Sequence, residues 1–449
     1  MKVGLEVHVL LPTKKKLFCT CSKTCPICLG YPGARPVLNE QAVEQAIKLC
    51  LALGCEVSQT ISFSRKTYFY PDLAKNFQIT QHDNPLGLGG TIRVGDAVIR
   101  LRQAHLEEDP AAILYPQGPR ESTHTLLDYA RSGRPLVEVV SEPDLTSAEQ
   151  ARAFLNKLSS IVEYVLGSCE LKVDVNVSIP ESDYQRVEVK NISGFRDVER
   201  AIRFEVTRQK MLVRHKKEIV FETRGWNGRA TVSLRKKETE ADYGYVFEPD
   251  IPPIILEEEY VRQLKEGLPE LADKRAQRYI DVWGVEEDTA FVLAQQQKIA
   301  ELFEEITQSI DPLLAARWVR TEVLRIINYH GCSLEDTQIT AQRIKELLSL
   351  LREKKISETT ARKIMELLAK ENINPKEYVE KEELLLVADE DELLVVCKKI
   401  LSEHAQAVKD YLSGEEKSFH YLTGQVMRET KGRASPEIVK KTLESLLKK

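Results

Sequence analysis

The chain has 449 residues, a hydrophobic share of 42%, a charged share of 30% and a formal net charge of −5. This length allows two or three domains with their own cores, and the composition is that of a soluble globular protein. The slightly negative charge excludes a generally basic nucleic-acid-binding protein, so RNA contacts would need local basic patches. No apolar stretch approaches the roughly 20 residues of a membrane helix, and no signal-peptide pattern is present. We therefore expect a cytoplasmic protein with reduced thiols and no membrane contact.

The first ten residues predict a β-strand with one polar face. Successive side chains of a strand point to opposite faces, so Glu6 and His8 share one face. The apolar Leu5, Val7 and Val9 take the other face. An acid beside an imidazole suits cation or phosphate chemistry.

Four cysteines follow this strand in the spacing C-x-C-x3-C-x2-C: Cys19, Cys21, Cys25 and Cys28. Two disulfides in so tight a loop are not expected in a cytosolic protein. Four thiolates around a tetrahedral zinc ion fit the spacing better than free or redox-active thiols. Because sulfur would fill all four positions, the predicted zinc site is closed and structural. The other cysteines stand among apolar neighbours and are interpreted as core residues: Cys50, Cys55, Cys169, Cys332 and Cys397.

The N-terminal half mixes strand patterns with a few helices. Helices are predicted over 39–53 and 148–166, each preceded by or beginning with an N-cap residue. A hairpin is predicted over 87–102, because a Gly-Asp pair separates two alternating runs. Clean alternation over 171–179 and 186–192 predicts neighbouring strands of an antiparallel sheet with one polar face.

The pattern changes after Pro252-Pro253, and almost everything that follows has helical periodicity. We therefore predict an α+β fold with a mixed domain over 1–255, a helical connector over 256–295 and a helical tail over 296–449. Basic residues along the tail are interpreted either as solvated helix faces or as contacts to an RNA backbone. They include Arg343, Lys345, Arg352, Lys354, Lys355, Arg362, Lys363, Lys398, Lys399, Arg428, Lys431 and Arg433.

Several predicted strands carry polar faces rich in acids. The residues are Glu6, His8, His105, Glu107, Glu108, Asp174, Asn176, Glu188 and Lys190. Charges on a sheet face are costly unless they meet cations or one another, and acids are poor strand formers. A carboxylate-lined Mg²⁺ site that holds nucleotide phosphates would explain their position. The alternative is the ordinary solvated face of an antiparallel sheet.

Strand alternation places Glu107 beside His105 and sends Glu108 to the other face, unless the strand has already ended there. Arg65 and Lys66 precede an aromatic run and are interpreted either as phosphate contacts or as surface cations. The sequence contains no P-loop, which excludes that type of nucleotide site. It also shows no convincing Ser-His-Asp set or nucleophile elbow.

Long motifs in a fixed order give the chain a resemblance to a known family. They include GLEVHV, CPICLGYPGARPVLN, RKTYFYPDL, HLEED, DYARSGRPLVEVVSEPDL, VDVNVSI, VEVKNISGFRDVERAI, ETRGW, VSLRKKE and DYGYVFEPDIPP. In these motifs the chain resembles the B subunit of the heterotrimeric tRNA-dependent amidotransferase, which makes Gln-tRNA from Glu-tRNA or Asn-tRNA from Asp-tRNA. The segment FHYLTGQVMRETKGRASPEIVKKTL resembles the tail domain of that family, so the resemblance covers essentially the full chain.

The resemblance implies a cradle domain related to the glutamine synthetase fold, a helical domain and a tail module that contacts tRNA. It implies that ATP and Mg²⁺ serve to phosphorylate the side-chain carboxylate of misacylated Glu-tRNA(Gln) or Asp-tRNA(Asn). Ammonia from an amidase (glutaminase) A subunit then displaces the phosphate, and a small C subunit completes the heterotrimer. The four clustered cysteines match the zinc-bearing members of the family.

On matching positions, the resemblance implies roles for individual residues. The expected magnesium ligands are Glu6, His8, Glu108 and Glu188. The expected catalytic set is Glu6, His8, Lys66, Glu107, Glu108 and Glu188. The expected nucleotide contacts are Lys66, Asp174, Asn176 and Lys190.

Some positions depart from the family pattern. Pro110-Ala111-Ala112 follow HLEED where Ala-Gly-Lys is usual, Gly244 stands where an arginine is common, and Lys172-Val173 replace an Arg-Cys pair. These changes motivate an alternative, a non-catalytic tRNA-binding scaffold that has kept the fold. The archaeal paralogue specific for Glu-tRNA is a weaker alternative, because no large extra domain interrupts the chain after residue 255.

Overall fold

The computed structural model describes residues 1–68, 70–117, 122–167, 170–236, 244–385, 390–430, 434 and 436–447. Cys169, Lys431 and Arg433, named above, lie outside these residues. The chain folds as two compact units, Met1–Leu271 and Ala272–Lys449. The separate connector expected over 256–295, with its boundaries, stays a prediction.

The N-terminal unit is built on β-strands. In chain order they are β1 (Lys2–Leu10), β2 (Glu56–Val57), β3 (Thr60–Ile61), β4 (Ser64–Thr67), β5 (Phe77–Thr80), β6 (Gly87–Leu88), β7 (Thr91–Val94), β8 (Ala97–Glu108), β9 (Ala112–Leu114), β10 (Leu126–Asp128), β11 (Pro135–Ser141), β12 (Leu171–Ser178), β13 (Val187–Ile192), β14 (Glu222–Trp226), β15 (Thr231–Lys236), β16 (Gly244–Phe247) and β17 (Ile254–Ile255). The predicted hairpin is confirmed, since β7 and β8 pair across the turn at Gly95-Asp96.

Among the described residues, thirteen strands form one main sheet. Its principal order is β15-β14-β13-β12-β1-β11-β8-β5-β4-β16, and β2, β6 and β7 join it at the side. The sheet pairs along this order are antiparallel except β13 and β14, which run parallel. The predicted antiparallel sheet is therefore confirmed, and β1 lies near its middle with β12 on one side and β11 on the other.

Helices cover one face of this sheet. They are α1 (Glu40–Ala52), α2 (Ala148–Leu166), α3 (Phe195–Arg214) and α4 (Glu258–Glu266). The Asn39 side chain caps α1 and the Ser147 side chain caps α2, as predicted. The apolar side chains of β1 and the buried faces of α1 and α2 belong to one hydrophobic core, which leaves the polar face of β1 on the opposite side.

The described residues of the C-terminal unit form helices and loops and include no β-strand. Its helices are α5 (Ala272–Trp283), α6 (Glu287–Ala294), α7 (Gln297–Thr307), α8 (Pro312–Trp318), α9 (Leu324–His330), α10 (Ala341–Arg352), α11 (Glu358–Leu367), α12 (Pro375–Lys381), α13 (Glu390–Glu403), α14 (Ala405–Leu412), α15 (Glu416–Glu429) and α16 (Pro436–Leu447). One π-helical turn over Val319–Val323 joins α8 to α9. The α+β class with a helical second part is thus confirmed. None of the helices in the described residues combines the length and apolar composition that crossing a bilayer requires.

The scattered cysteines divide between core and partly exposed positions. Cys50, Cys55 and Cys397 are buried, as predicted. Cys332 is only partly buried, because it follows Gly331, which ends α9 in a left-handed conformation and directs the chain into a loop.

Candidate functional site

The polar face of the main sheet borders a cleft of about 740 Å³. Its lining includes ten polar side chains from seven of the strands: Glu6, His8, Lys66, Glu107, Glu138, Lys172, Asp174, Glu188, Lys190 and Thr223. Seven of these ten residues belong to the sets expected from the sequence. The strand pairing explains why residues so far apart in the chain meet here.

Three carboxylates form what we call the acid cluster: Glu6, Asp174 and Glu188. Glu6 on β1 is the register partner of Asp174 on β12, and β13 places Glu188 next to them. One carboxylate oxygen from each residue lies within 4.8 Å of the others. Since the three strands are adjacent and Glu6 and Asp174 stand opposite each other, the cluster is a direct consequence of strand order and register.

Hydrogen bonds fix the acid cluster. Asn176 Nδ2 donates to Glu6 Oε1 at 2.9 Å, and Thr223 Oγ1 donates to Glu188 Oε2 at 2.6 Å. Lys190 Nζ lies 2.6 Å from Asp174 Oδ2 and 3.6 Å from Glu188 Oε1.

Lys190 supplies positive charge beside the acid cluster. Burial by itself lowers the pKa of Lys190, but the charges of Asp174 and Glu188 outweigh burial and raise that pKa. The Lys190 ammonium group is thus shared between two of the three carboxylates, Asp174 and Glu188. The buried Asn176 Oδ1 also has no hydrogen-bond partner among the described residues. The three carboxylates of the acid cluster are a donor set that suits a hard divalent cation.

A second group, the histidine cluster, consists of His8, Glu107 and Glu138. His8 Nε2 lies 3.1 Å from Glu107 Oε1 and 3.9 Å from Glu138 Oε1. His105 stands behind it, with Nε2 at 3.0 Å from Glu138 Oε2 and 3.7 Å from Glu107 Oε2. His8, Glu107 and Glu138 together could also hold a metal ion.

The carboxylates of the histidine cluster strongly favour protonated imidazoles. Burial lowers the pKa of His8, but its hydrogen bond to Glu107 and the charge of Glu138 outweigh burial and raise that pKa to about 9. Burial also lowers the pKa of His105, but the hydrogen bonds to Glu107 and Glu138 outweigh burial and raise that pKa to about 10. In turn, and in spite of burial, the two imidazoles hold the pKa of Glu107 well below its usual range. A bound cation would replace these protons as the positive charge of the cluster.

Glu108 lies apart from both clusters. The strand β8 continues to Glu108, so the predicted alternation holds and Glu107 alone turns toward the cleft. Glu108 accepts hydrogen bonds from Lys75 Nζ at 2.5 Å and from the backbone N–H of Ile79 at 2.8 Å. The structure therefore does not bring Glu108 to the other expected magnesium ligands.

The side chains of the neighbouring residues Arg65 and Lys66 also point in different directions. Lys66 lines the cleft. Arg65 points elsewhere and donates to both carboxylate oxygens of the fully buried Glu248, at 2.7 and 2.8 Å. Of the two cations, Lys66 is the one placed for contact with a phosphate.

One side of the cleft, the cleft wall, is formed by Asp109, Arg131 and Lys172. Arg131 donates to both oxygens of Asp109, at 2.6 and 2.9 Å, and Lys172 Nζ lies 3.1 Å from Asp109 Oδ2. Burial raises the pKa of Asp109 although Arg131 acts against it. Asp109 is only 2% exposed, and its carboxylate pairs with both cations of the cleft wall.

The sequence reasoning missed several of these residues. Glu138 could have been found, because alternation along β11 places it on one face with Leu136. Thr223 reaches Glu188 only because β14 pairs with β13, and Arg131 lies in a loop. No periodicity marks either position.

The cysteine loop (residues 19–28) brings its four sulfur atoms together without a disulfide. Cys19 Sγ and Cys21 Sγ are 3.3 Å apart, and Cys21 Sγ and Cys28 Sγ are 3.8 Å apart. A tetrahedron with Zn–S bonds of about 2.3 Å has edges of about 3.8 Å. The backbone N–H of Cys25 also points at Cys28 Sγ, at 3.2 Å. The four sulfurs are therefore close enough to hold a metal ion together.

Some basic residues of the C-terminal unit have partners within that unit. Arg362 Nε lies 3.3 Å from Glu322 Oε1, and Lys399 Nζ lies 2.6 Å from Glu429 Oε1. These ion pairs support the interpretation as solvated helix faces for the two cations concerned. Contact of the tail with RNA stays a prediction.

Two family models match the chain. Residues 1–262 match the GatB/GatE catalytic domain, and residues 301–447 match the GatB domain. A curated relative from Thermotoga maritima is 38% identical, covering 99% of this chain and 98% of its own length. One from Saccharolobus solfataricus is 40% identical and covers 99% of both chains. A third, from Carboxydothermus hydrogenoformans, is 37% identical over 100% of this chain and 98% of its own. All three are named as the B subunit of an aspartyl/glutamyl-tRNA(Asn/Gln) amidotransferase.

Proposed function

Since this chain belongs to the GatB/GatE family of amidotransferase B subunits, we propose that it catalyses the ATP-dependent step of tRNA amidation. The substrate is misacylated Glu-tRNA(Gln), Asp-tRNA(Asn) or both, and the side-chain carboxylate of the attached amino acid reacts. The γ-phosphoryl group of ATP moves to a carboxylate oxygen, which gives ADP and an acyl phosphate. Ammonia attacks the acyl carbon and loses a proton, phosphate leaves, and the side-chain amide remains on the tRNA.

The observation that carries this proposal is the acid cluster. Its three carboxylates come from adjacent strands, and the buried Asn176 Oδ1 beside them has no hydrogen-bond partner among the described residues. Mg²⁺ binds a few carboxylates together with phosphate oxygens, so the donor set fits this ion. When bound there, Mg²⁺ would neutralise the charge on the phosphate oxygens of ATP. Asn176 and Thr223 hold two of the carboxylates in position for it.

Two lysines supply positive charge to the same cleft. Lys66 on β4 lines the cleft, and Lys190 is held in place by Asp174. Ammonium groups bind phosphate as compact point charges, so we assign contacts with the nucleotide phosphates to these two residues. The histidine cluster, on the same sheet face, is assigned as a second set of cation ligands.

The cysteine loop is assigned a structural zinc ion. The four sulfurs lie within 4.8 Å of one another, and four thiolates around a zinc ion would leave no open position for a substrate. No step of the reaction is assigned to this metal. The reduced thiols that zinc requires agree with the cytoplasm as the proposed location.

The proposed partners follow from the family. The relatives are named as subunits, and we propose that this chain also acts with an amidase A subunit, which releases ammonia from glutamine, and a small C subunit. We assign contact with the tRNA to the helical tail over 296–449, most of which matches the GatB domain.

The proposal is tested by assaying the complex of this chain with its A and C subunits on both misacylated tRNAs. Glutamine and ATP are supplied, and both ADP and amidated tRNA are measured. We expect ADP to form only when a misacylated tRNA is present, in step with the amide. ADP formation that does not depend on the tRNA, or amide formation without ADP, would contradict the proposal.

The scaffold alternative is not favoured. The departures at Pro110 and Lys172 lie along the cleft and its wall, whereas the acid cluster and Lys66 are intact. Lys172 keeps a contact with the buried Asp109 at 3.1 Å. A scaffold would show tRNA binding with no ADP formation in the same assay.

A further inference from the structure

Lys16 is a buried lysine beside the cysteine loop. Its relative exposure is only 2%. The ammonium nitrogen lies 3.6 Å from Cys28 Sγ and donates to the Tyr129 carbonyl oxygen at 3.3 Å. A buried ammonium group is costly unless an anion lies close to it.

No carboxylate provides this anion in the part of the chain that the structure describes. Glu108 pairs with Lys75, and Asp109 pairs with Arg131. Glu108 Oε2 also lies near Gly133, but this carboxylate already pairs with Lys75, so the cysteine loop is the source of negative charge that contacts the Lys16 ammonium group. Four neutral thiols would supply none, whereas four thiolates around a divalent ion carry a net charge of about −2.

We propose that Lys16 is the counter-charge of the metal-bound cysteine loop and that it fastens this loop to the cleft wall. The inference rests on the zinc site proposed above. Lys16 acts as a positioning residue, because it touches Cys28 and Tyr129 and is not among the residues that line the cleft.

A short chain of contacts leads from Lys16 to the cleft wall. The Leu17 N–H donates to the Gly133 carbonyl oxygen at 2.8 Å, and the Gly133 N–H donates to the Asp109 carbonyl oxygen at 2.8 Å. Arg131, between Tyr129 and Gly133 in the chain, holds the Asp109 carboxylate. Removal of the metal would leave the ammonium without an anion and loosen the segment that carries Arg131.

Gly133 makes this arrangement possible. Its φ of +86° is a conformation that favours glycine. A Cβ atom there would lie 3.3 Å from Lys16 Cδ and 3.7 Å from Cys28 Cβ. The absence of a side chain at this position leaves room for the lysine stem to pass between the loop and the wall.

The first experiment compares zinc binding by the full-length wild-type chain, Lys16→Met and Lys15→Met. Methionine keeps an unbranched stem without charge, and Lys15, the exposed neighbour, is the matched control. Zinc affinity is measured by competition with a chromophoric chelator. We expect Lys16→Met to bind zinc roughly 10- to 100-fold more weakly, the usual effect of losing a contact to a metal ligand. Lys15→Met should bind as the wild type does.

The second experiment needs no variant, so it remains decisive if Lys16→Met fails to fold. Hydrogen exchange of peptides covering 126–134 is followed in the wild-type chain with zinc and after its removal. We expect faster exchange in these peptides without zinc, and no change in peptides from α2. If the wild type binds no zinc, the zinc proposal itself is wrong. If it binds zinc, but Lys16→Met binds equally well or exchange is unaltered by zinc removal, the inference about Lys16 is overturned alone.

Discussion

Glu6 on β1 and Asp174 on β12 are register partners in an antiparallel pair, and carboxylate oxygens of the two residues lie within 4.8 Å of each other. Like charges placed directly opposite each other destabilise a sheet. Here Asn176 donates to one carboxylate and Lys190 neutralises part of the other. A divalent cation bound between the two carboxylates would reduce their repulsion, which supports the proposed cation site.

Asn176 offers a direct test of this site. In Asn176→Leu, Glu6 loses its hydrogen-bond donor and the cluster loses its unpartnered amide oxygen. We expect the affinity for Mn²⁺, a stand-in for Mg²⁺, to fall by about 10-fold, as is typical when a group that holds a metal ligand is lost. Binding is measured by electron paramagnetic resonance of free Mn²⁺. The control is Ser178→Ala on the same strand, which should bind normally, and an unchanged affinity in Asn176→Leu would contradict the assignment.

Glu108 is expected to act on stability and not on cation binding. Its carboxylate and Lys75 Nζ are 2.5 Å apart, with side-chain exposures of 6% and 12%. Glu108→Gln leaves this lysine without its counter-charge, so we expect the free energy of unfolding to fall by about 3 kcal/mol. Urea denaturation measures the loss, with Glu142→Gln, from the exposed pair with Arg102, as a nearly neutral control. Weaker Mn²⁺ binding by folded Glu108→Gln would contradict this expectation and indicate that Glu108 is a cation ligand.

Glu107 and Glu108 show which part of the site could be predicted from strand alternation. Alternation placed Glu6 and His8 on one face and separated the two neighbouring glutamates, because side-chain direction is a local property of a strand. Which strands become neighbours is not a local property. Thr223 could not be assigned to the site, since its contact with Glu188 depends on the parallel pairing of β14 with β13.

Contacts made by loop residues were also beyond what the sequence could predict. Arg131 has no periodic pattern around it, and its contact with Asp109 depends on how the loop before β11 returns to the end of β8. The spacing of the four cysteines, by contrast, was sufficient to predict that their sulfurs meet, because all four lie within ten residues of chain. The helical second unit was equally evident from its periodicity.

The histidine cluster predicts a pH dependence for the metal-free chain. The pKa values of His8 and His105, about 9 and about 10, exceed the ordinary value of 6.5. The protonated imidazoles therefore stabilise the folded state fully below about pH 6.5, and this contribution is lost as the pH rises through 9 to 10. The contribution of Glu107 to stability depends on pH in the opposite direction. Because its pKa is lowered, its carboxylate stabilises the folded state above about pH 4.5, and this stabilisation is lost in acid.

Melting temperatures in the presence of a chelator measure this dependence. We expect the melting temperature of the N-terminal unit to fall between pH 7 and pH 10 in the wild type, and to fall less steeply in His105→Gln. His215→Gln, at the exposed end of α3, is the matched control and should follow the wild type. Equal slopes in His105→Gln and the wild type would show that the cluster does not hold protons as described.

Phosphoryl transfer at the acid cluster is tested most directly by measuring ADP formation by the complete complex with misacylated tRNA. Glu6→Gln preserves shape and removes one charge of the cluster, and Glu181→Gln changes an exposed glutamate of the same unit. We predict that Glu6→Gln lowers kcat for tRNA-dependent ADP formation by about 100-fold or more, as loss of a group that stabilises transition-state charge usually does. The Glu181→Gln complex should retain wild-type activity. Undiminished ADP formation by a folded Glu6→Gln complex would contradict the account.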